Sequence, residues 1–366
     1  MTAAGRQHEP EAPVCTDYSF GGQAVIEGVM MRGRSCWAVA VRRPSGDISR
    51  QAFPLDHPDA RHRVLKWPVI RGVVALYDSM RLGIKALGIS ANIGLEGIDA
   101  AEESEGTDDG ALPAADAVSP AVTHDQDAAD AVSQAGNHDQ DAPPEADQAF
   151  GWKQLALTVT VAVAMAVVLF IVIPLTVVKV FEDTFSNPFV FNLVEGLIRI
   201  AIFLLYILGI SLIPDLRRVF MYHGAEHKVI HAFENSGRPD AQLAARFSTL
   251  HPRCGTGFLL VVMVLSVFLF ALVGKPSLPL LVLSRLIGIP IIIGISYELT
   301  IKWLGKRPNA LYSRLLLWPG LQLQRLTTRE PTPDQLEVAA AALEEAVAMD
   351  RAEERSSATV AAPVSA

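Results

Sequence analysis

The stretch LALTVTVAVAMAVVLFIVIPLTVV, residues 155–178, decides the class of fold. It has no charged side chain, and it exceeds the ~20 residues that a helix needs to cross the hydrocarbon core of a bilayer. Three more apolar segments of similar length follow, at residues 189–213, 255–274 and 278–300. The sequence therefore predicts a mainly α-helical membrane protein with about four transmembrane helices, contained in residues 150–326, and a lipid bilayer as its partner.

Four charged side chains fall inside these predicted spans: Glu195 and Arg199 in the second, and Arg285 and Glu298 in the fourth, with Glu298 at its cytoplasmic end. A charge within a bilayer is costly and usually pairs with another polar group. Glu195 and Arg199 are one helical turn apart, whereas Glu195 and Arg285 have similar predicted depths. We predict that Glu195 bonds Arg285 across two spans, in competition with Arg199. The alternative is that Arg285 extends outward to lipid headgroups.

Basic residues indicate the orientation in the membrane. They are concentrated in the loop between the second and third spans and after the fourth span, and they are scarce in the two loops on the other side. By the positive-inside rule, both termini are predicted to be cytoplasmic, with the chain in the inner (plasma) membrane. The first residues contain no apolar signal segment, and three scattered cysteines fit a reducing compartment.

Outside the spans, the sequence divides into segments of different composition. WAVAVRR and ISRQAF predict two strands around the turn PSGD, and GGQAVIEGVMMRG predicts one more strand. The charged amphipathic stretch 68–92 predicts an interfacial helix, with a fifth crossing as the alternative. The predicted organisation is a disordered tail at 1–17, a cytoplasmic strand-rich region with the interfacial helix at 18–98, an acidic disordered linker at 99–149, a histidine-rich cytoplasmic loop at 215–254, a cytoplasmic helix at 327–350 and a disordered tail at 351–366.

The acidity of the chain comes from the linker. From Glu96 to Asp147 there are fifteen carboxylates and neither Lys nor Arg, whereas the whole chain has a net charge of −8. The remainder of the chain is therefore basic. The net charge describes one solvated segment rather than a folded surface, and it gives no support to a nucleic-acid partner.

The predicted chemistry lies in YHGAEHKVIHAFE, residues 222–234. On a helix, its three histidines and two glutamates would share one side. His223 and His227 are one turn apart and can bind one Zn²⁺ ion, and Glu226 can act as the base that deprotonates a metal-bound water. His231 would lie ~12 Å from His223, too far for all three imidazoles to share one ion.

Zinc needs at least one further ligand. Donors predicted on the same side of the membrane are His231, His251, Cys254, Glu298 and, in the glycine-rich N-terminal stretch, Glu27. Other interpretations remain open for these residues. Cys254 and His251 could form a cysteine hydrolase that needs no metal. The histidines could instead hydrogen-bond lipid headgroups, or they could serve a non-enzymatic, metal-binding transporter or scaffold.

Four blocks of this sequence resemble one family: GGQAVIEGVMMRG at 21–33, YHGAEHK at 222–228, HPRCGTGF at 251–258 and TTREPTPDQLEVA at 327–339. They are similar to the YqhQ family of bacterial multi-pass membrane proteins of unknown function, described as predicted metal-dependent enzymes. The resemblance implies a membrane fold and a divalent metal cofactor. Together with the residues, it predicts a zinc-dependent hydrolase at the cytoplasmic membrane face, acting on a membrane-proximal or membrane-embedded substrate. Neither the reaction nor the oligomeric state follows from the sequence.

Overall fold

The structure, a computed structural model, describes residues 20–55, 63–105, 152–181, 187–274, 278–304 and 310–361. Its strands are β1 (Gly21–Val25), β2 (Gly28–Arg32), β3 (Cys36–Arg42) and β4 (Ile48–Pro54). Its helices are α1 (Ile70–Glu105), α2 (Trp152–Val167), α3 (Ile173–Val180), α4 (Pro188–Ser211), α5 (Pro214–Ser236), α6 (Ala241–Ala244), α7 (Gly255–Val273), α8 (Leu278–Tyr297), α9 (Leu311–Thr327) and α10 (Pro333–Ala361). A π-helical turn at Val168–Val172 joins α2 to α3, and another at Glu298–Leu304 extends α8.

Within the described residues, four helical stretches are long and apolar enough to cross a membrane: Thr160–Val180, Pro188–Ser211, Gly255–Val273 and Leu283–Ile301. Large apolar side chains such as Leu205, Phe268 and Leu286 lie exposed on their outer surfaces. Such a surface is suited to contact with lipid tails rather than water. The prediction of a mainly helical protein with four such helices is confirmed.

The four strands form an antiparallel sheet in the order β1-β2-β3-β4. The predicted strands around PSGD are β3 and β4. The glycine-rich stretch before them forms a two-strand hairpin, β1 and β2, rather than the one strand predicted. Glu27 makes its tight turn possible by adopting a φ of 53°, a conformation that few side chains favour.

Both faces of this sheet are covered. Successive side chains of a strand point to opposite faces, and along β2 and β3 the side chains on both faces are apolar. One face packs against α5 and α10 through Val29, Met31, Ala38 and Ala40. The other packs against Leu82, Ala86 and Ile93 of α1 through Val25, Met30, Trp37, Val39 and Val41. The sheet is therefore the middle layer of a helix–sheet–helix unit.

The predicted interfacial helix at 68–92 is part of the longer helix α1, which runs to Glu105, past the predicted start of the linker at 99. Most of the linker, residues 106–149, lies outside the described residues. The apolar stripe that predicted the helix is exposed at Tyr77, Met80, Ile84 and Leu87. A helix with one side packed on protein and an apolar outer side is typical of a membrane surface.

The C-terminal part contains one helix that the sequence analysis did not predict. This helix, α9, contains Pro319 and exposes Leu311, Leu315 and Trp318. The predicted C-terminal helix is α10, and Gln335 Oε1 accepts a hydrogen bond from Thr332 N at 3.0 Å at its start. It continues to Ala361, through most of the segment predicted as a disordered tail.

The intramembrane charges pair differently from the prediction. Glu195 forms an ion pair with Arg199 in its own helix, and Arg199 Nε also donates to Phe170 O at 2.8 Å. The Arg285 guanidinium lies over the ring of Phe270, 3.6 Å from its centroid. The structure thus pairs Glu195 with Arg199 and not with Arg285. A pair within one helix needs no ordering of a second helix, and the aromatic face provides Arg285 with a cation–π contact.

Candidate metal centre

The histidine-rich segment is helix α5 and not a surface loop. Pro214 in the first turn and Asp215 at the positive end of the helix dipole favour its start. Gly237, with a φ of 70°, ends it in the left-handed conformation. The apolar residues of α5 are buried against the sheet and α10: Tyr222, Ala225, Val229 and Phe233. Most of the segment predicted as the loop 215–254 is therefore held in the protein core or against it.

The first side-chain cluster joins His223 and His227 of α5 to Cys254, the residue before α7. One ligand atom from each of the three residues lies within 4.8 Å of the others. The two imidazoles lie one turn apart in an edge-to-face arrangement, with ring centroids 4.5 Å from each other. Of the further ligands predicted from the sequence, Cys254 is the one that the fold brings to this histidine pair.

Backbone carbonyl groups orient both imidazoles of this cluster. His223 Nδ1 lies 2.8 Å from Thr327 O, and His227 Nδ1 hydrogen-bonds Thr249 O. A carbonyl oxygen accepts, so each Nδ1 carries the proton and each Nε2 presents a lone pair. His227 is buried, and within the described part of the chain its Nε2 has no hydrogen-bond partner. Both rings are therefore held in the tautomer that a metal ligand requires.

The Cys254 sulfur lies 3.3 Å from His223 Nε2 and 3.2 Å from Thr256 Oγ1. Burial by itself would raise the pKa of this thiol, but interactions with His227 and Thr256 hold it below its ordinary value. Burial also lowers the pKa of His227, which favours the neutral imidazole. A thiolate and neutral imidazoles are the forms that bind metals.

Glu226 lies beside the cluster, on the side that faces β1. Burial raises the pKa of its carboxyl group to about 8, against the smaller opposing effect of His223. Its Oε2 is buried and has no hydrogen-bond partner in the described segments. Gly22 makes room for this carboxyl group, since a Cβ there would lie 2.8 Å from Glu226 Cδ. The glycine-rich strand therefore helps to hold the predicted base.

The donor set fits a zinc-like ion. Two ligand atoms, one nitrogen ~2.0–2.1 Å and one sulfur ~2.3 Å from a tetrahedral Zn²⁺, lie ~3.6 Å apart. The spacing of 3.3 Å between His223 Nε2 and Cys254 Sγ is close to this value. The buried, unpartnered Nε2 of His227 supplies the third donor. Three protein ligands leave one tetrahedral position for water or substrate.

The remaining predicted ligands lie elsewhere. His231 and His251 form a second cluster with Glu234, again with one ligand atom of each within 4.8 Å of the others. Glu298 forms an ion pair with Arg71 of α1. Glu27 binds Arg218 and accepts a hydrogen bond from the Tyr222 hydroxyl group at 3.2 Å, which anchors the hairpin turn to α5.

The proposed pairing of Cys254 with His251 as nucleophile and base is not formed. The imidazole next to the sulfur is that of His223, whereas His251 Nε2 lies 3.7 Å from a carboxylate oxygen of Glu234. The backbone of His251 is fixed separately: its N–H donates to Gln324 Oε1 and its carbonyl accepts from Gln324 Nε2, both at 2.8 Å. These two hydrogen bonds tie the segment before α7 to α9.

An apolar crevice begins at Cys254 and extends between α7, the end of α8 and α9. The residues lining it include Gly257, Phe258, Val261, Ile301, Leu317 and Leu321. Gly257 belongs to a membrane-span candidate, so the crevice connects the cluster with the apolar part of the molecule. This feature depends on α9 and had no counterpart in the sequence analysis.

Sequence reasoning missed three kinds of residue at this site. Glu234 was placed on the correct side of the helix but was not chosen as a ligand, although its spacing of three from His231 was a usable signal. The carbonyl groups of Thr249 and Thr327 leave no trace in the sequence, because every residue has one. Gly22 was visible only as a glycine in a glycine-rich strand.

Comparisons with known proteins agree with the resemblance noted from the four sequence blocks. A family model described as "Protein of unknown function (DUF1385)" matches residues 67–349. The chain is 29% identical over 337 residues to the uncharacterized protein YqhQ of Bacillus subtilis (strain 168). The aligned region covers 92% of this chain and 95% of that protein. No solved structure matches the chain. The predicted resemblance to the YqhQ family is confirmed.

Proposed function

We propose that this chain, which belongs to the DUF1385 family, is a metal-dependent hydrolase of the bacterial inner membrane, with its active site at the cytoplasmic face. The observation that carries the proposal is a cluster in which one ligand atom each of His223, His227 and Cys254 lies within 4.8 Å of the others, while the buried His227 Nε2 makes no hydrogen bond to any oxygen or nitrogen atom of the described residues. A buried polar atom without a partner costs ~1–3 kcal/mol, so its retention requires a reason. A bound metal ion supplies one.

His223, His227 and Cys254 would hold the ion, with zinc as the best match to their nitrogen and sulfur donors. When bound, a zinc ion supplies Lewis acidity and lowers the pKa of a coordinated water towards neutrality. The backbone carbonyls of Thr327 and Thr249 keep both imidazoles pointed at the ion. Glu226 would accept and return the proton, because the positive charge of the ion would favour the ionised form of a carboxyl group whose pKa burial raises to about 8.

The surroundings of the site support a substrate with an apolar part. The crevice at Cys254 is lined mainly by apolar side chains and adjoins the membrane-span candidates, and because its free volume is about 10 Å³, it would have to open to admit the apolar part of a substrate. The exposed apolar residues of α1 and α9, such as Met80 and Trp318, suit contact with a membrane surface. Together with the basic loops, these features support a site and both termini at the cytoplasmic face, where a membrane-embedded substrate would enter from the lipid side.

The test is the metal content of the full-length protein purified in detergent. We expect the His223→Ala, His227→Ala double variant to contain at least one Zn²⁺ ion per chain fewer than the wild type, by plasma emission. The control is Glu337→Gln, which removes an exposed carboxylate of α10 and should leave the content unchanged. Equal metal content in the wild type and the double variant would refute the site.

The hydrolase assignment needs a second variant. Glu226→Gln keeps the shape of the side chain and removes the base, so we expect it to retain the metal and to fail to complement a deletion of the gene. A Glu226→Gln protein that complements the deletion would instead favour the non-enzymatic transporter or scaffold.

A further inference from the structure

The second cluster, His231, Glu234 and His251, lies next to the first, and the rings of His227 and His251 are 5.6 Å apart. The proposed function makes no use of it. His231 and Glu234 are three residues apart in α5, so both point to the same side of the helix. His251 approaches from the segment before α7, with its ring centroid 4.7 Å from that of His231.

A buried nitrogen atom of His251 distinguishes this cluster. His251 is 3% exposed, and its Nε2 has no hydrogen-bond partner among the residues that the structure describes. The nearest carboxylate oxygen, Glu234 Oε2, is 3.7 Å away. This distance exceeds the ~3.2 Å limit of an ordinary hydrogen bond. It is close to the ~3.4 Å that separates two ligand atoms placed ~2.0–2.1 Å from one tetrahedral ion.

The other two residues also each have an atom that could bind a metal ion. His231 Nε2 lies 2.9 Å from Leu250 O and must therefore carry the proton, which leaves the lone pair on Nδ1. Glu234 uses Oε1 for its ion pair with Arg253, so Oε2 remains turned to His251. The Glu234 side chain is 24% exposed, and an ion can therefore reach the cluster from solvent.

One contact must change when an ion binds. The Arg253 backbone N–H donates to His251 Nδ1 at 3.4 Å, whereas a metal ion on Nε2 requires the neutral ring to carry its proton on Nδ1, so this hydrogen bond must break and the two N–H groups must move apart. A contact of this length is weak, so the cost of losing it is small.

We propose that His231, Glu234 and His251 form a second metal site, which takes a divalent first-row transition ion through two imidazoles and one carboxylate. Two histidines and one carboxylate are a frequent ligand set for Zn²⁺ and Fe²⁺. The second site has no sulfur ligand, in contrast to the cluster at Cys254. It binds its ion independently of the first site, so the protein holds two ions in adjacent positions.

The experiment uses Co²⁺ as the probe, in full-length protein stripped with a chelator, reloaded and freed of excess ion. A Co²⁺–thiolate charge-transfer band reports on the Cys254 cluster alone, because the second cluster has no sulfur. We expect two bound Co²⁺ per chain by plasma emission, with the band accounted for by one of them. Glu234→Gln and His231→Ala should each lower the content to one and leave the band intact. Cys254→Ser should remove the band and also leave one ion. Glu337→Gln is the carboxylate control and should keep two ions.

The outcomes separate the two sites. If Glu234→Gln and His231→Ala keep the wild-type cobalt content, the second site is refuted and the first stands. If either variant loses the band together with all cobalt, the clusters are one shared site and the proposal of two is overturned. If cobalt binds without a thiolate band and its content falls only in Glu234→Gln and His231→Ala, the second site is supported and the first is refuted.

Discussion

Gly224, the second residue of the HGAEH motif, provides a test of how the site is held. Gly224 lies in the middle of α5, where glycine is normally unfavourable by ~0.5–1 kcal/mol relative to alanine. A Cβ at this position would lie 2.1 Å from the backbone oxygen of Arg329, and 3.3 Å from Thr249 Cγ2. The backbone at Arg329 is held close to α5, because Arg329 N donates to Phe220 O at 2.9 Å.

The effect of Gly224→Ala follows from these two opposing terms. An ordinary carbon–oxygen contact is ~3.3 Å, so the chain at Arg329 must move by ~1 Å. Overpacking of this kind costs ~1–3 kcal/mol, against a gain of ~0.5–1 kcal/mol from the helix preference of alanine. We expect a net loss of ~1–2 kcal/mol of unfolding free energy, seen as a fall of several degrees in Tm. The shift also moves Thr327 O away from His223 Nδ1, and loss of such an outer contact weakens metal binding by ~10–100-fold.

The assay is thermal unfolding in detergent together with a Zn²⁺ competition titration. The control is Gly88→Ala in α1, where an added Cβ meets nothing within 4 Å and should stabilise the protein slightly. If Gly224→Ala is as stable as Gly88→Ala and binds Zn²⁺ like the wild type, the proposed close packing of α5 against the segment at Arg329 is incorrect.

Two further predictions concern charges away from the metal centre. Burial of Asp350 opposes ionisation, but hydrogen bonds from Ser35 and Arg34 hold the pKa of its carboxyl group below the usual value. The stabilisation is therefore complete above its unfolded pKa of ~3.9 and is lost as the pH falls through the lower folded value. In Asp350→Asn, the free energy of unfolding should be lower at neutral pH than in the wild type, and it should fall less steeply as the pH is lowered. An unchanged dependence on pH would contradict this assignment. For the intramembrane pair, Glu195→Gln should lower the stability in detergent more in the wild-type background than in the Arg199→Met background. The difference between the two effects, the coupling energy, should be ~0.5–3 kcal/mol. Strictly additive effects would show that the pair contributes nothing.

Local patterns were sufficient for much of the fold. The four apolar segments predicted four long apolar helices because a span is defined by length and composition alone. β3 and β4 were predicted from their apolar pattern around a turn. The start of α10 was predicted from Thr332 and Gln335, which are close in sequence. His223, Glu226 and His227 were chosen as a group because helical spacing places such residues on one side.

Only the tertiary structure decided which residues share a site. Cys254 meets His223 and His227 from a different segment, and His251 meets His231 and Glu234 instead of Cys254. These choices depend on how α5 packs on the sheet and how Gln324 of α9 fixes the backbone of His251. The same is true of the carbonyls that orient the imidazoles and of the crevice formed by α9. Spacing along the chain determines the side of a helix on which a residue lies. The residues that this side contacts are determined by long-range packing, which involves segments that are far apart in sequence.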